Sequence, residues 1–380
     1  MCVSGGTPMV RSAFLAAAGA ASLPLLVQPG RAVAEMSNSA RLDAPNARAA
    51  DIAMRSELVQ AQWNAGRELA SSIRDALLRA DVLDAMRDTR PHYQRRYPTA
   101  ESRVALRDAF AREEFVAPDA PVEEVFPPVG PDGIAQPFWS APGSAADSHH
   151  AYPGGLCAHE LFNARVGEQY AQTYAELYFG GRPEVDRDLC VAAALYHDIM
   201  KTVVFQYRED GTFTPELTIA GTGGHHVLSG AEAIARGRNA RFVTVLLSAH
   251  AAPSLGDEAK VATWCRAAAM LAGVDPVEYG LLTKTSAGYA LAQPPSIEAF
   301  INHLSDHDYV LTVHAAQQVL PMLAALAPRF GIAAGDAVAM NWWRLRIRAH
   351  VADVTLYHEL LRGGQAFAEA VERAHAKSTI

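Results

Sequence analysis

Histidines and aspartates recur along this chain at a spacing suited to metal chemistry. His159, the adjacent pair His197-Asp198, His225 or His226, His250 and Asp275 follow one another at intervals of roughly 25 to 40 residues, the length of a helix and its connection. Each would then come from a different helix and meet the others inside a bundle. The central pair lies in the run Leu-Cys-Val-Ala-Ala-Ala-Leu-Tyr-His-Asp-Ile-Met-Lys that ends at Lys201. An imidazole and a carboxylate buried side by side in such a run are costly unless something compensates them. A divalent cation compensates both, because both are good ligands. His and carboxylate donors suit one or two ions of Fe, Mn, Co, Ni or Zn, and the lack of a cysteine pair argues against a structural zinc. A second pair, His307-Asp308, is flanked by His303 and His314 at helical spacings, which predicts a polar helix face packed on the neighbouring lobe, with a face that takes a ligand or substrate as the alternative.

These residues need helices to carry them. The chain has 380 residues and is 50% apolar, enough for two lobes or one large helical mass. Residues 51–115 repeat Leu58, Ala61, Leu69, Ile73, Leu77 and Leu78 at helical intervals, after a small, polar stretch (Ser37 to Ala50) expected to be a tether. Residues 116–148 carry so many prolines that continuous helix is excluded, and an irregular wrap is expected. Helical patterning returns from Leu156 to about Ala272, with a short hairpin allowed around Asp210-Gly211. The last hundred residues read as helix broken near Pro294-Pro295 and Gly331, with Trp342-Trp343 on a core stripe and Arg344, Arg346 and Arg348 on a charged back. Alanine-rich helices poor in β-branched residues predict an all-α protein. Cys157, Cys190 and Cys265 fit no disulfide framework and are expected to be buried free thiols.

The order His…His-Asp…His…His…Asp resembles the HD-domain superfamily of metal-dependent phosphohydrolases, and the segment from His149 to His159 is similar to the opening helix of the YhaM-type HD domains. His197-Asp-Ile-Met-Lys201 fits the HD-x-x-K form, and the register of His226-Val-Leu-Ser-Gly favours His226 over His225. The resemblance covers residues 149–280 and implies an HD helical bundle with added N- and C-terminal helical regions. It implies His159, His197, Asp198 and Asp275 around one metal, His226 and His250 at a second, Asp198 as bridge, and Lys201 as a point charge for a phosphate oxygen. His149 and His150 are expected to line the entrance or to support the first ligand from behind it, with a substrate contact as the sharper option for His150. Pro276 restrains Asp275 to extended backbone, so Asp306 and Asp308 stand as its replacements. The implied activity is hydrolysis of a small phosphomonoester or phosphodiester such as a nucleotide; an HD-type di-iron oxygenase and a non-catalytic metal-binding module are the alternatives.

A net charge of -8 and the lack of any basic channel argue against nucleic acid as a partner. Arg11, the apolar run from Ser12 to Val27 and Ala32-Val-Ala34 predict an export leader over residues 1–34, hence a periplasmic or secreted protein, or a cytoplasmic one if translation starts at Met36. No transmembrane helix is expected after the leader.

Overall fold

The structure, a computed structural model, describes residues 42–145, 148–254 and 256–378. The expected leader lies outside the described residues. The chain is all-α, with two small antiparallel hairpins as its sheet structure among the described residues.

The N-terminal helices are α1 (Ala44–Arg55), α2 (Glu57–Ser71), α3 (Ala76–Arg87) and α4 (Ala100–Arg112). Helix α1 begins inside the stretch expected to be a tether. The Asp43 carboxylate accepts the Asn46 N–H at 3.0 Å and Pro45 sits in the first turn, so the local sequence is a helix start rather than a linker. The proline-rich segment is irregular, as expected, apart from the single turn α5 (Val122–Val125) and a 3₁₀ turn at Phe138–Ser140.

The central bundle comprises α6 (Gly155–Tyr178), α7 (Arg187–Ala194), the single turn α8 (Lys201–Val204), α9 (Gly224–Ala235), α10 (Ala240–Leu247) and α11 (Glu258–Ala272). Around Asp210-Gly211 the expected hairpin reduces to a turn closed by a Tyr207–Phe213 bridge. A hairpin of β1 (Thr218–Ile219) and β2 (Thr222–Gly223) leads directly into α9. Helix α11 stops where Gly273 adopts left-handed backbone at φ 67°.

The last hundred residues are not purely helical. β3 (Leu282–Thr285) and β4 (Gly288–Leu291) pair Leu282 with Leu291 and Thr285 with Gly288, because β-branched Thr283 and Thr285 precede a turn that Gly288 closes at φ 123°. Then come α12 (Ile297–Ser305), α13 (Tyr309–Leu326), α14 (Ala337–Val351), α15 (Asp353–Arg362) and α16 (Gly364–Ser378). The stretch Ile297–Phe330 is long and apolar enough to cross a membrane by length and composition, yet it is interrupted at Asp306, and 39% of its most apolar window is buried within the protein.

One large core joins the N-terminal helices, the proline-rich wrap and the central bundle, from Trp63 and Phe138 to Leu228 and Ala268. A second gathers Val319, Trp343, Phe367 and Val371 between α13, α14 and α16. A small cluster of Ile52, Tyr152, Tyr207 and Trp342 bridges them. Cys157, Cys190 and Cys265 are buried free thiols. Arg348 departs from the charged back expected of α14: it is 2% exposed and gripped by Asp353 through two bonds of 2.7 and 2.8 Å.

Candidate metal centre

His197 and Asp198 sit just past α7, where i→i+3 bonding tightens the chain: Ile199 N–H donates to Tyr196 O and Lys201 N–H to Asp198 O. In this tight turn neighbouring side chains face one centre. Asp198 is the hub. Its Oδ2 lies 3.0 Å from His159 Nε2 and 3.3 Å from His197 Nε2, and it forms a short ion pair with Lys201. Its Oδ1 lies 3.1 Å from His225 Nε2 and 3.4 Å from His250 Nε2. The two oxygens of one carboxylate thus face two groups of histidines.

The long helix α6 supplies His159, Glu160 and Asn163, all buried. Helix α9 supplies His225 and His226 in its first turn, and His250 ends the 3₁₀ turn that follows α10. Asp306 completes the cluster from the end of α12: its Oδ1 is 3.2 Å from His159 Nε2 and 3.4 Å from His197 Nε2, and its Oδ2 is 3.4 Å from His250 Nε2.

Asp275 is not in the cluster. After Gly273 the chain turns to the surface, and the exposed Asp275 carboxylate accepts the N–H groups of Val277 at 2.8 Å and Glu278 at 2.9 Å. The family-style register therefore points at the wrong aspartate, and Asp306 stands where a last carboxylate is needed. His225 and His226 both converge on the centre, but His225 makes the closer approach to Asp198. His226 stacks on His250, with ring centroids 3.3 Å apart and planes 12° apart, and its Nδ1 meets the Thr222 hydroxyl.

Three further residues, which the spacing argument does not reach, orient the cluster. Glu160 Oε2 is 3.0 Å from His197 Nδ1, and its Oε1 accepts the Asp198 N–H at 3.1 Å. Ala194 O lies 2.9 Å from the same Nδ1. With the Ala194 carbonyl accepting there and the Glu160 carboxylate beside it, Nδ1 holds a proton, so a metal would displace the proton of Nε2 and take its lone pair. Glu216 does the same for His225, accepting at its Nδ1 and its backbone N–H. Asn163 Nδ2 donates to Asp306 Oδ1 at 2.9 Å. The signal for Glu160 and Asn163 is their place one and four residues after His159 on one helix; Glu216 has no such signal.

The electrostatics follow from packing. Burial opposes ionisation of Asp198, but the neighbouring His197 and Lys201 cations hold it well below the usual carboxylate range. Burial likewise opposes charge on Asp306, and His197 and His159 outweigh it. Burial disfavours the His197 imidazolium, yet the carboxylates of Asp198, Glu160 and Asp306 raise it well above its ordinary value. His226 is depressed by burial and by the adjacent His250, and burial brings His250 down to about 3.

His197 Nε2, His225 Nε2, His159 Nδ1 and Asp198 Oδ1 are buried without a hydrogen-bond partner among the described residues. Buried polar atoms of that kind are rare unless a ligand satisfies them. The donors lie close enough for one ion at Asp198, His225, His226 and His250, and for another among His159, His197 and Asp198 or His197, His250 and Asp306. Nitrogen and carboxylate donors with oriented outer partners fit a divalent transition metal.

A cavity of about 280 Å³ opens onto this cluster, and Lys201, His149, His303, His307 and Tyr309 line it. His303 is fixed through Nδ1 to Ala249 O at 2.9 Å. His314 does not share that face: the chain breaks at Asp306 before α13 begins, and His314 pairs with Tyr357 at 3.2 Å on the surface. His150 is buried with its Nε2 2.9 Å from Asp308 Oδ2 and is not among the residues lining the cavity.

The HD domain family matches residues 159–307, a range that opens on His159 and ends one residue after Asp306. Residues 159–307 therefore form an HD domain. The matched range extends past residue 280, where the resemblance read from the motifs ends, and takes in the hairpin β3–β4 and α12. The chain is also similar to the dihydroneopterin 2',3'-cyclic phosphate phosphodiesterase of Methanocaldococcus jannaschii, 42% identical over 65 residues, which is 17% of this chain and 25% of that protein. The chain thus aligns with about a quarter of the length of that curated relative. No solved structure matches it.

Proposed function

We propose that this HD protein is a metal-dependent phosphohydrolase acting on a small phosphomonoester or phosphodiester. The observation that carries the reading is Asp198, one carboxylate with His159 and His197 at one oxygen and His225 and His250 at the other. Divalent ions held by these residues would supply Lewis acidity and a water that is deprotonated near neutral pH. His159, His197, Asp198 and Asp306 would hold one ion, and His225, His226 and His250 with Asp198 a second.

The remaining residues have separate tasks. Glu160 and Glu216 keep the ligating imidazoles in one tautomer. Lys201, 2% exposed at the cavity wall, is held by Asp198 and by the Gly143 carbonyl, and offers a fixed positive charge to a phosphate oxygen. His149, His303 and His307 line the approach. A cavity of about 280 Å³ suits a small molecule better than a polymer. The similarity to a cyclic-phosphate phosphodiesterase makes small cyclic phosphodiesters the first substrates to try.

The test is metal analysis of purified wild-type and Asp198→Asn protein, followed by a screen of cyclic and linear phosphodiesters and phosphomonoesters. Wild type should carry metal and turn over at least one of them, and the variant should lose both. Equal metal content and equal turnover in the two proteins would sink the reading. Bound iron with substrate-dependent oxygen uptake and no phosphate release would replace it with the oxygenase alternative.

A further inference from the structure

A second cavity, of about 440 Å³, shares no lining residue with the histidine cluster. It lies between α1, α14 and the end of α16, and Arg48, Arg55, Trp342, Arg346 and His350 line it. Its charge is one-sided. Arg55 is paired with Asp51 at 3.0 Å, which uses the carboxylate that lines the cavity. Arg48 and Arg346 have no carboxylate within ion-pair distance among the described residues, although Glu209 attracts Arg48 from further away. Arg346 Nε and His350 Nε2 are buried donors or acceptors without a hydrogen-bond partner among the described residues. His350 Nδ1 lies 2.9 Å from Arg346 O, which makes it the protonated nitrogen of a neutral ring and fixes how the ring stands.

Two guanidinium groups in one recess repel each other and lose hydration, a cost that an oxyanion removes. Burial and the nearby Arg48 both disfavour the charge on Arg346. The aromatic walls narrow the choice of ligand. Trp342 has Arg48 over one side, 4.3 Å from its ring centre, and Tyr207 stacked at 6.0 Å. Trp343 packs against Phe330 at 5.3 Å and donates its N–H to His375. Neither indole is open for a nucleobase to stack upon. What the recess offers is a planar, forked donor pair, which matches the oxygens of a phosphoryl group.

We propose that the cavity between α1 and α14 is a binding site for a small phosphate-bearing anion, held by Arg48 and Arg346 and separate from the HD centre. The site stands on its own residues and does not depend on what the HD centre hydrolyses. Inorganic phosphate is the probe. Calorimetric titration of the metal-loaded, full-length protein with phosphate is compared among wild type, Arg48→Gln, Arg346→Gln and the surface control Arg362→Gln. Wild type and the control should show a phosphate site that weakens at least tenfold in each cavity variant, while metal content and the activity of the HD centre stay unchanged. Arg48 is exposed on α1, so Arg48→Gln decides the matter even if Arg346→Gln folds poorly. Unchanged phosphate affinity in Arg48→Gln, or phosphate binding in wild type that disappears entirely with Asp198→Asn, overturns the proposal.

Discussion

At the scale of single residues, the cluster distinguishes aspartates that look alike in sequence. Asp306→Asn should cut metal affinity by at least the roughly 10- to 100-fold expected even for an outer partner of a ligand. Asp275→Asn should leave metal content and unfolding midpoint unchanged, since asparagine can cap the same N–H groups. Metal analysis after dialysis separates the two, and equal loss in both variants would contradict the geometry. Glu160→Gln tests the tautomer argument: an amide can present its NH₂ to His197 Nδ1, so metal affinity should fall about 10- to 100-fold with little change in stability. A variant that binds metal as tightly as wild type would show that the Ala194 carbonyl alone sets the ring. His197, Asp198 and His250 are legible in sequence because apolar runs lead into them, and His159 is legible through its place in the spaced series. Asp306 is legible only as a substitute, through the constraint that Pro276 puts on its rival. Glu216 is hidden because it reaches His225 across the β1–β2 hairpin, a fold-dependent contact with no local pattern.

At the scale of elements, glycines place the loop that carries His149 and His150. A methyl group added at Gly155, the first residue of α6, would lie 1.8 Å from the His150 carbonyl oxygen and 3.0 Å from the Gly143 nitrogen. Gly155→Ala should therefore destabilise the protein by about 1–3 kcal/mol and lower turnover, because the same shift moves Gly143, whose carbonyl holds Lys201. Gly66 is the opposite case. It lies inside α2, and a methyl there would meet Met86 at an ordinary 3.6 Å. Gly66→Ala should stabilise by about 0.5–1 kcal/mol, read as a higher unfolding midpoint; a lower one would mean that α2 packs too tightly for the added carbon. Helix type and rough extent are readable from the apolar spacing, whereas the ends are less so. The start of α1 hides in a polar stretch whose meaning depends on one capping aspartate. The β3–β4 hairpin hides because only four residues per strand carry it, and Leu282 and Leu291 could equally have belonged to a helix.

At the scale of the whole molecule, Arg348 connects the C-terminal helices to the HD centre. It is held by Asp353 at the α14–α15 junction and donates to the Ala151 carbonyl at 2.8 Å, next to His150. Arg348→Met removes one partner of a buried pair and leaves Asp353 uncompensated, which should cost about 3–5 kcal/mol in denaturant unfolding. A loss below about 1 kcal/mol, the range of surface pairs, would mean that the junction is wet. The all-α architecture follows from composition, but the second core around Trp343 and its tie through Arg348 do not: they depend on which face of α14 meets Tyr152, and apolar periodicity is the same for either neighbour. The three buried thiols add a use of their own. Cys157 lies on α6, Cys190 on α7 and Cys265 on α11, and burial raises each thiol above its ordinary range. An alkylating reagent can reach them only when the surrounding helices part, so the order in which these positions become labelled, followed by mass spectrometry, records which helix of the bundle opens first and how often.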